Sequence, residues 1–116
     1  MDTNELLRRY AVGERDFQGA VLSSRAVRAD FIWSANLDKA QLEGINLSEA
    51  DLGGLSLAST NLCRANLYRA KLDYTFLMTA ELREANLREA NLIMLGADLG
   101  GASLSGAIMP DGSVHN

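Results

Sequence analysis

The chain has 116 residues, a net charge of −4 and 47% hydrophobic residues. This is the size of one domain. The mild acidity supplies no basic stripe for phosphate binding, and no apolar run is long enough to span a bilayer or to read as a signal peptide.

Residues Asp2 to Gly13 predict a short helix. Thr3 or Asn4 is placed to cap it, Glu5 suits its first turn, and Leu6, Leu7 and Tyr10 form an apolar stripe. Gly13 is a suitable stop. Laid across the next segment, this helix is expected to cover the open end of whatever core follows.

From Leu37 to Leu92 a leucine stands at every fifth position, twelve times without a miss. Two residues before it stands alanine at positions 35, 40, 50, 65, 70, 80, 85 and 90. Neither a 3.6-residue helix nor a two-residue strand repeats its faces every five residues. The chain must bend once in each unit, and four bends close a coil of twenty residues. Such units cannot bury an apolar face alone, so they stack at the β spacing of roughly 4.8 Å. The inward column is Phe17, Leu22, Leu37, Leu42, Leu47, Leu52, Leu57, Leu62, Leu67, Leu72, Leu77, Leu82, Leu87, Leu92, Leu99 and Leu104. Ile45, Leu55, Thr60 and Thr75 replace the small alanine and predict bulged or repacked corners. The two threonines need a hydroxyl partner, most simply a backbone carbonyl.

Ala35-Asn36-Leu37, Ala65-Asn66-Leu67, Ala85-Asn86-Leu87, Ala90-Asn91-Leu92 and Ala97-Asp98-Leu99 resemble the A(D/N)LXX unit of the pentapeptide-repeat family. The resemblance runs from about Asp16 to Met109. It implies an all-β solenoid, a right-handed quadrilateral parallel β-helix of nearly five coils with a short N-terminal capping helix. The chain then divides into a cap over residues 1–15, the β-helix over 16–109, and a C-terminal turn and tail over 110–116.

Carried backwards, the phase passes from Leu37 through Ile32, Val27 and Leu22 to Phe17. That register puts Asp30 inside, and an unpaired buried carboxylate is costly. A second register, with Phe31 inside, stays open. Leu92 is followed by Leu99 after seven residues, so two residues are inserted within Ile93–Gly96. Pro110-Asp111-Gly112 reads as a turn, followed by a polar, loose tail.

Residues twenty apart are expected to lie in columns. Glu49, Arg69 and Glu89 form one, Arg64 and Glu84 another, and Asp51 lies below Lys71. Asn46, Asn66 and Asn86 form a third, suited to bonding along the stack or to turn backbone. Cys63 is the only cysteine, which excludes an internal disulfide, and it should face outward as a free surface thiol. Tyr74, Phe76, Met78, Ile93, Met94 and Leu95 gather near the insertion as a candidate protein-contact patch or as packing for the inserted loop. Trp33 is either a second exposed anchor or packs beneath the helix.

An enzyme needs convergent, positioned groups, and the single histidine, His115, lies in the tail. There is no zinc-ligand spacing, nucleophile elbow or phosphate loop. The expectation is a non-enzymatic, cytoplasmic, rigid protein-interaction or structural module that takes no cofactor or metal. It acts as a monomer or as a weak dimer through its C-terminal end. The family resemblance adds two alternatives. One is a DNA-mimicking binder of a topoisomerase such as DNA gyrase, which this short chain of mixed surface charge fits weakly. The other is a regulatory factor binding a cellular protein, as in small cyanobacterial members.

Overall fold

The computed structural model describes residues 1–22, 37–92 and 99–116. Helix α1 spans Thr3–Ala11, and its N-cap is Asp2 rather than Thr3 or Asn4. Asp2 Oδ1 accepts the Glu5 N–H at 2.7 Å, while Thr3 is buried. An ionised cap also meets the positive end of the helix dipole, which a hydroxyl or amide cap cannot exploit. The inward stripe is narrower than Leu6, Leu7 and Tyr10: Leu6 is fully buried in the main core, but Leu7 remains exposed. Tyr10 is half-buried and donates its hydroxyl to the Glu43 carbonyl at 2.8 Å, pinning α1 to the stack. Gly13 ends the helix at φ 102. An Arg9–Glu14 ion pair and the Arg15 guanidinium, 3.6 Å above the Tyr10 ring, fix the chain as it leaves.

Beyond α1 the structure is a stack of parallel backbone bridges, each one residue wide on either side. The bridges fall into four ladders. The first joins Asp16, Asn46, Asn66, Asn86 and Ile108, and the second joins Val21, Asp51, Lys71 and Asn91. The third joins Ser56 and Phe76, and the fourth joins Gln41, Asn61, Glu81 and Ser103.

Between ladders the chain bends in a four-residue turn that starts at the inward residue. The N–H of Ala40 returns to the Leu37 carbonyl, that of Ala65 to Leu62 and that of Ala85 to Leu82. The third residue of each turn lies at positive φ, as a type II turn requires. Lys39, Glu49, Ser59, Arg64, Arg69, Tyr74, Thr79, Glu84 and Glu89 all adopt it, with φ between 55 and 64. Gly44 and Gly101 occupy equivalent sites at φ 71 and 72 without the Cβ penalty.

The leucines at the turn starts face inward. From Leu37 through Leu87 they are buried, with Phe17 and Leu22 beneath. Ile45 and Leu55 are also fully buried, and their turns close as the alanine turns do, at 3.1 and 3.0 Å. The ladder step stays at twenty residues through both, so no bulge forms. The larger side chains are taken up by repacking inside. Thr60 gives its hydroxyl to the Leu57 carbonyl at 2.7 Å and Thr75 to the Leu52 carbonyl at 2.8 Å.

Two register changes stand out. Asp16 pairs with Asn46 and Val21 with Asp51, thirty residues on rather than twenty. Phe17 therefore lies beneath Leu47, not Leu37. Ten residues, two whole five-residue units, are extra between Val21 and Leu37. The described inward residues fill a little over four layers; the expected nearly five coils also count Val27 and Ile32. The choice of register at Asp30–Phe31, the inward places of Val27 and Ile32, and Trp33 lie outside the described residues. At the other end the step grows to twenty-two, from Glu81 to Ser103 and from Asn86 to Ile108.

The tail is ordered, contrary to its polar composition. Gly112 N–H closes a turn on the Met109 carbonyl, and Val114 forms an antiparallel bridge with Ile108. Backbone pairing, which is blind to side-chain polarity, holds it.

Leu62→Ala should cost about 2–5 kcal/mol, and Leu62→Asp should abolish the cooperative melt. Gly44→Ala should cost about 1 kcal/mol through turn strain alone. Gly101→Ala should cost more, because its Cβ would meet Thr79 Cγ2 at 3.2 Å, whereas nothing lies within 4 Å at Gly44. Urea midpoints should rank wild type, Gly44→Ala, Gly101→Ala in falling order.

Candidate protein-contact site

Outward side chains of the stack are set in columns by a regularly bonded backbone, and each side therefore has a definite chemistry. The residue before each inward leucine makes the side of the stack self-supporting. Asn46 Oδ1 accepts the Ser48 N–H, Asn66 Oδ1 that of Tyr68, and Asn86 Oδ1 that of Arg88, at 3.0–3.1 Å. The amide nitrogen can then reach along the stack, as Asn46 does to Asp16 at 3.2 Å. These asparagines serve both turn backbone and stacking.

The first and fourth ladders carry dense charge. Arg69 Nε donates to Glu89 at 3.2 Å, and this hydrogen bond raises the Arg69 pKa above its ordinary value. Glu49, in the layer below, instead accepts from the Gln18 side-chain amide at 2.9 Å. Arg64 lies 3.3 Å from Glu43 and 3.9 Å from Glu84. Such exposed pairs contribute about 0–1 kcal/mol each. Their main effect is to cancel charge along each column. Asp51 and Lys71 are bridged through their backbones.

On the fourth ladder a hollow of about 240 Å³ is lined by Glu43, Cys63, Arg64, Arg83 and Glu84. Cys63 is 6% exposed, so it is not the surface thiol its outward position implied. Glu43 and Arg83 hold the same turn position in the layers below and above, and their long side chains shelter the short thiol. The hollow holds both signs of charge and favours neither an anion nor a cation. Among the described residues, no group of three or more His, Cys, Asp and Glu side chains could hold a metal ion, and no helix is long and apolar enough to cross a membrane.

The third ladder differs. From its second layer upward the described outward residues are Ser56, Ala58, Ser59, Phe76, Met78, Thr79, Gly100 and Gly101, none of them charged. Phe76 is 46% and Met78 40% exposed, and Tyr74, on the turn leading into this side, is 67% exposed. The positive φ of Tyr74 aims its ring away from the stack. Beneath them, Asp38 accepts from the Ser56 hydroxyl and from the Ala58 N–H. Ser59 and Thr79 hydroxyls meet at 2.6 Å. The small polar groups are thus bonded to one another, leaving the three large side chains as the available contacts. Ile93, Met94 and Leu95 lie outside the described residues. The sequence signal was partial: Ser56, Ala58, Ser59, Phe76, Met78 and Thr79 are uncharged, but Asp98 stands before the inward Leu99.

Comparison with known proteins gives a consistent picture. The family model for pentapeptide repeats matches in eight copies, over residues 27–62, 45–83, 60–93 and 77–111. The chain is similar to the crystal structure of alr5209, a pentapeptide repeat protein from Nostoc PCC 7120. The two are 36% identical, with a TM-score of 0.77 over 92% of this chain and 79% of that one. It is also similar to HetL, a pentapeptide repeat protein involved in heterocyst differentiation regulation in the cyanobacterium Nostoc sp. strain PCC 7120. Identity is again 36%, with a TM-score of 0.57 over 86% of this chain. The chain spans about half the length of HetL, 49%. Curated protein sequences give no significant match.

A thiol-reactive chromophore should label Cys63 slowly in the native protein and at the rate of a free thiol in concentrated urea. Rapid native labelling would contradict its burial.

Proposed function

The chain belongs to the pentapeptide-repeat family, and we propose on that premise that it is a non-enzymatic, rigid protein-interaction module. In this reading the four ladders are the sides of a right-handed quadrilateral parallel β-helix, α1 is its N-terminal cap, and residues 1–116 act as one domain.

One observation carries the reading: Tyr74, Phe76 and Met78 stay exposed on the side whose described residues bear no charge from its second layer upward. Exposed apolar side chains grouped on a polar surface mark contact sites. Large side chains on a backbone that is already ordered lose little entropy on binding. Ile93, Met94 and Leu95 extend the proposed patch by their place in the sequence. The similarity to HetL favours a regulatory role through a cellular protein as the second reading. No comparable observation favours DNA mimicry, because arginines alternate with glutamates along the charged ladders.

The oligomeric state belongs to the same proposal: a monomer, or a weak dimer through the C-terminal end. Leu92, Leu99, Leu104 and Met109 there are only partly buried.

Phe76→Ser should leave the melting temperature nearly unchanged, since the ring is already half in water. Affinity capture from native cells should recover a partner with the wild-type chain and lose it with Phe76→Ser and with Tyr74→Ser. Equal recovery by both variants would overturn the patch.

A further inference from the structure

We propose that Tyr74 and Asp73 receive an arginine side chain from a partner protein, whose neighbouring apolar residue packs on Phe76 and Met78. This names the chemistry of the partner and rests on the contact reading above.

The chain itself shows how such a group is held. Arg9 lies 5.1 Å from the centroid of the Phe17 ring and pairs with Glu14. Arg69 lies 5.1 Å from the centroid of Tyr68 and bonds Glu89 at 3.2 Å. Each of these arginines meets one aromatic face and one carboxylate. The two contacts are compatible because the guanidinium is planar: its face stacks on a ring while its edge donates to oxygen. Arg15, 3.6 Å from the Tyr10 centroid, stacks too and donates to the Tyr10 and Glu14 carbonyls.

Tyr74 and Phe76 are the exception. Among the described residues no arginine lies over either ring, and the sequence has none between Arg69 and Arg83. They are also the two described rings that are exposed. The carboxylates are in place. Asp73 precedes Tyr74 in the same turn, and Glu81 stands just beyond Thr79. Asp73 accepts the Asn91 amide at 3.4 Å, and a carboxylate takes several donors at once. From Leu72 to Leu82 these two acids are the only charged residues, and from Leu52 to Leu62, one layer below, there are none. On the side that holds Asp51, Lys71 and Asp73, two carboxylates face one ammonium. The border of the apolar patch therefore attracts a cation and repels an acid.

Shape supports the same occupant. Gly54 lies one layer beneath Tyr74, Ser56 beneath Phe76 and Ala58 beneath Met78. Each large side chain overhangs a small one, which leaves a shallow ledge. The aliphatic stem of an arginine can lie on it while the charged head reaches Asp73. Lysine fits less well, because its ammonium is strongly hydrated and cannot stack as a plane.

Nuclear magnetic resonance on the 116-residue chain with labelled Tyr and Phe rings tests this ring by ring. The probes are the end-blocked tripeptides Leu-Arg-Leu, Leu-citrulline-Leu and Leu-Glu-Leu at millimolar concentration. Leu-Arg-Leu should shift the Tyr74 and Phe76 rings and leave Phe17 and Tyr68, which already carry arginines, in place. Citrulline keeps the shape without the charge and should bind more weakly by about fivefold. Leu-Glu-Leu should move neither ring. Asp73→Asn should weaken Leu-Arg-Leu about two- to fivefold, and added salt should weaken it in the wild-type chain. The proposal is overturned if Leu-Arg-Leu leaves both rings unmoved, or if the citrulline peptide binds as tightly. That comparison uses the wild-type chain, so it decides even where Asp73→Asn disturbs the turn. Partner capture that depends on Phe76 but not on Asp73 or on salt would overturn the arginine and leave the contact surface standing. Ring shifts with Leu-Arg-Leu alongside equal capture by Phe76→Ser would instead remove the contact reading and leave the arginine site.

Discussion

A five-residue step can be repeated only if the backbone turns the same way each time, and here that demand falls on one residue per step. The third residue of every turn must take positive φ, and nine of these residues carry a side chain. Outside glycine this conformation costs roughly 1–2 kcal/mol. The cost is tolerated because the same turn does two other things. It aims a leucine into the stack, where burial contributes roughly 1.5–3 kcal/mol. It also points backbone N–H groups at the layer above, where they find carbonyls at 2.7–3.2 Å. Turn strain, core and ladder are therefore one device. It also explains why Arg, Glu, Lys, Ser, Thr and Tyr share the strained site: their side chains project outward, free of the core.

Much of this fold could be read from residue spacing. The inward leucines, the small residues two places earlier and the carbonyl partners of Thr60 and Thr75 all follow from a period of five. What the period could not convey was register. A repeat of five says which way a residue points but not which layer it occupies, because adding whole units leaves every direction unchanged. For this reason the pairing of Asp16 with Asn46 was not visible in the spacing. The tail escaped for a related reason: its pairing is made by backbone atoms, and polar residues with backbone partners look like polar residues without them.

The candidate site was legible in part. Tyr74, Phe76 and Met78 could be picked out as large apolar residues at outward positions. The neutrality of the described residues around them, however, is a property of columns. Cys63 shows the limit of reading exposure from direction alone. It points outward, yet long side chains above and below leave 6% of it exposed. In a stack with layers roughly 4.8 Å apart, a short outward residue between two long ones is sheltered.

The thirty-residue step at the base of the first ladder has an evolutionary reading. Insertion or loss of two whole units leaves every core residue facing the core, so the packed interior is indifferent to it. The outer surface is not, because every column beyond the change is paired with a new neighbour. In ordinary globular folds a new surface arrangement usually requires substitutions, each tested against the core. Here a length change in units of five rearranges charge columns, neutral sides and hollows in one event while the inward residues stay as they were. A repeat of this kind therefore permits a change in what it presents to partners that leaves its inward residues as they were.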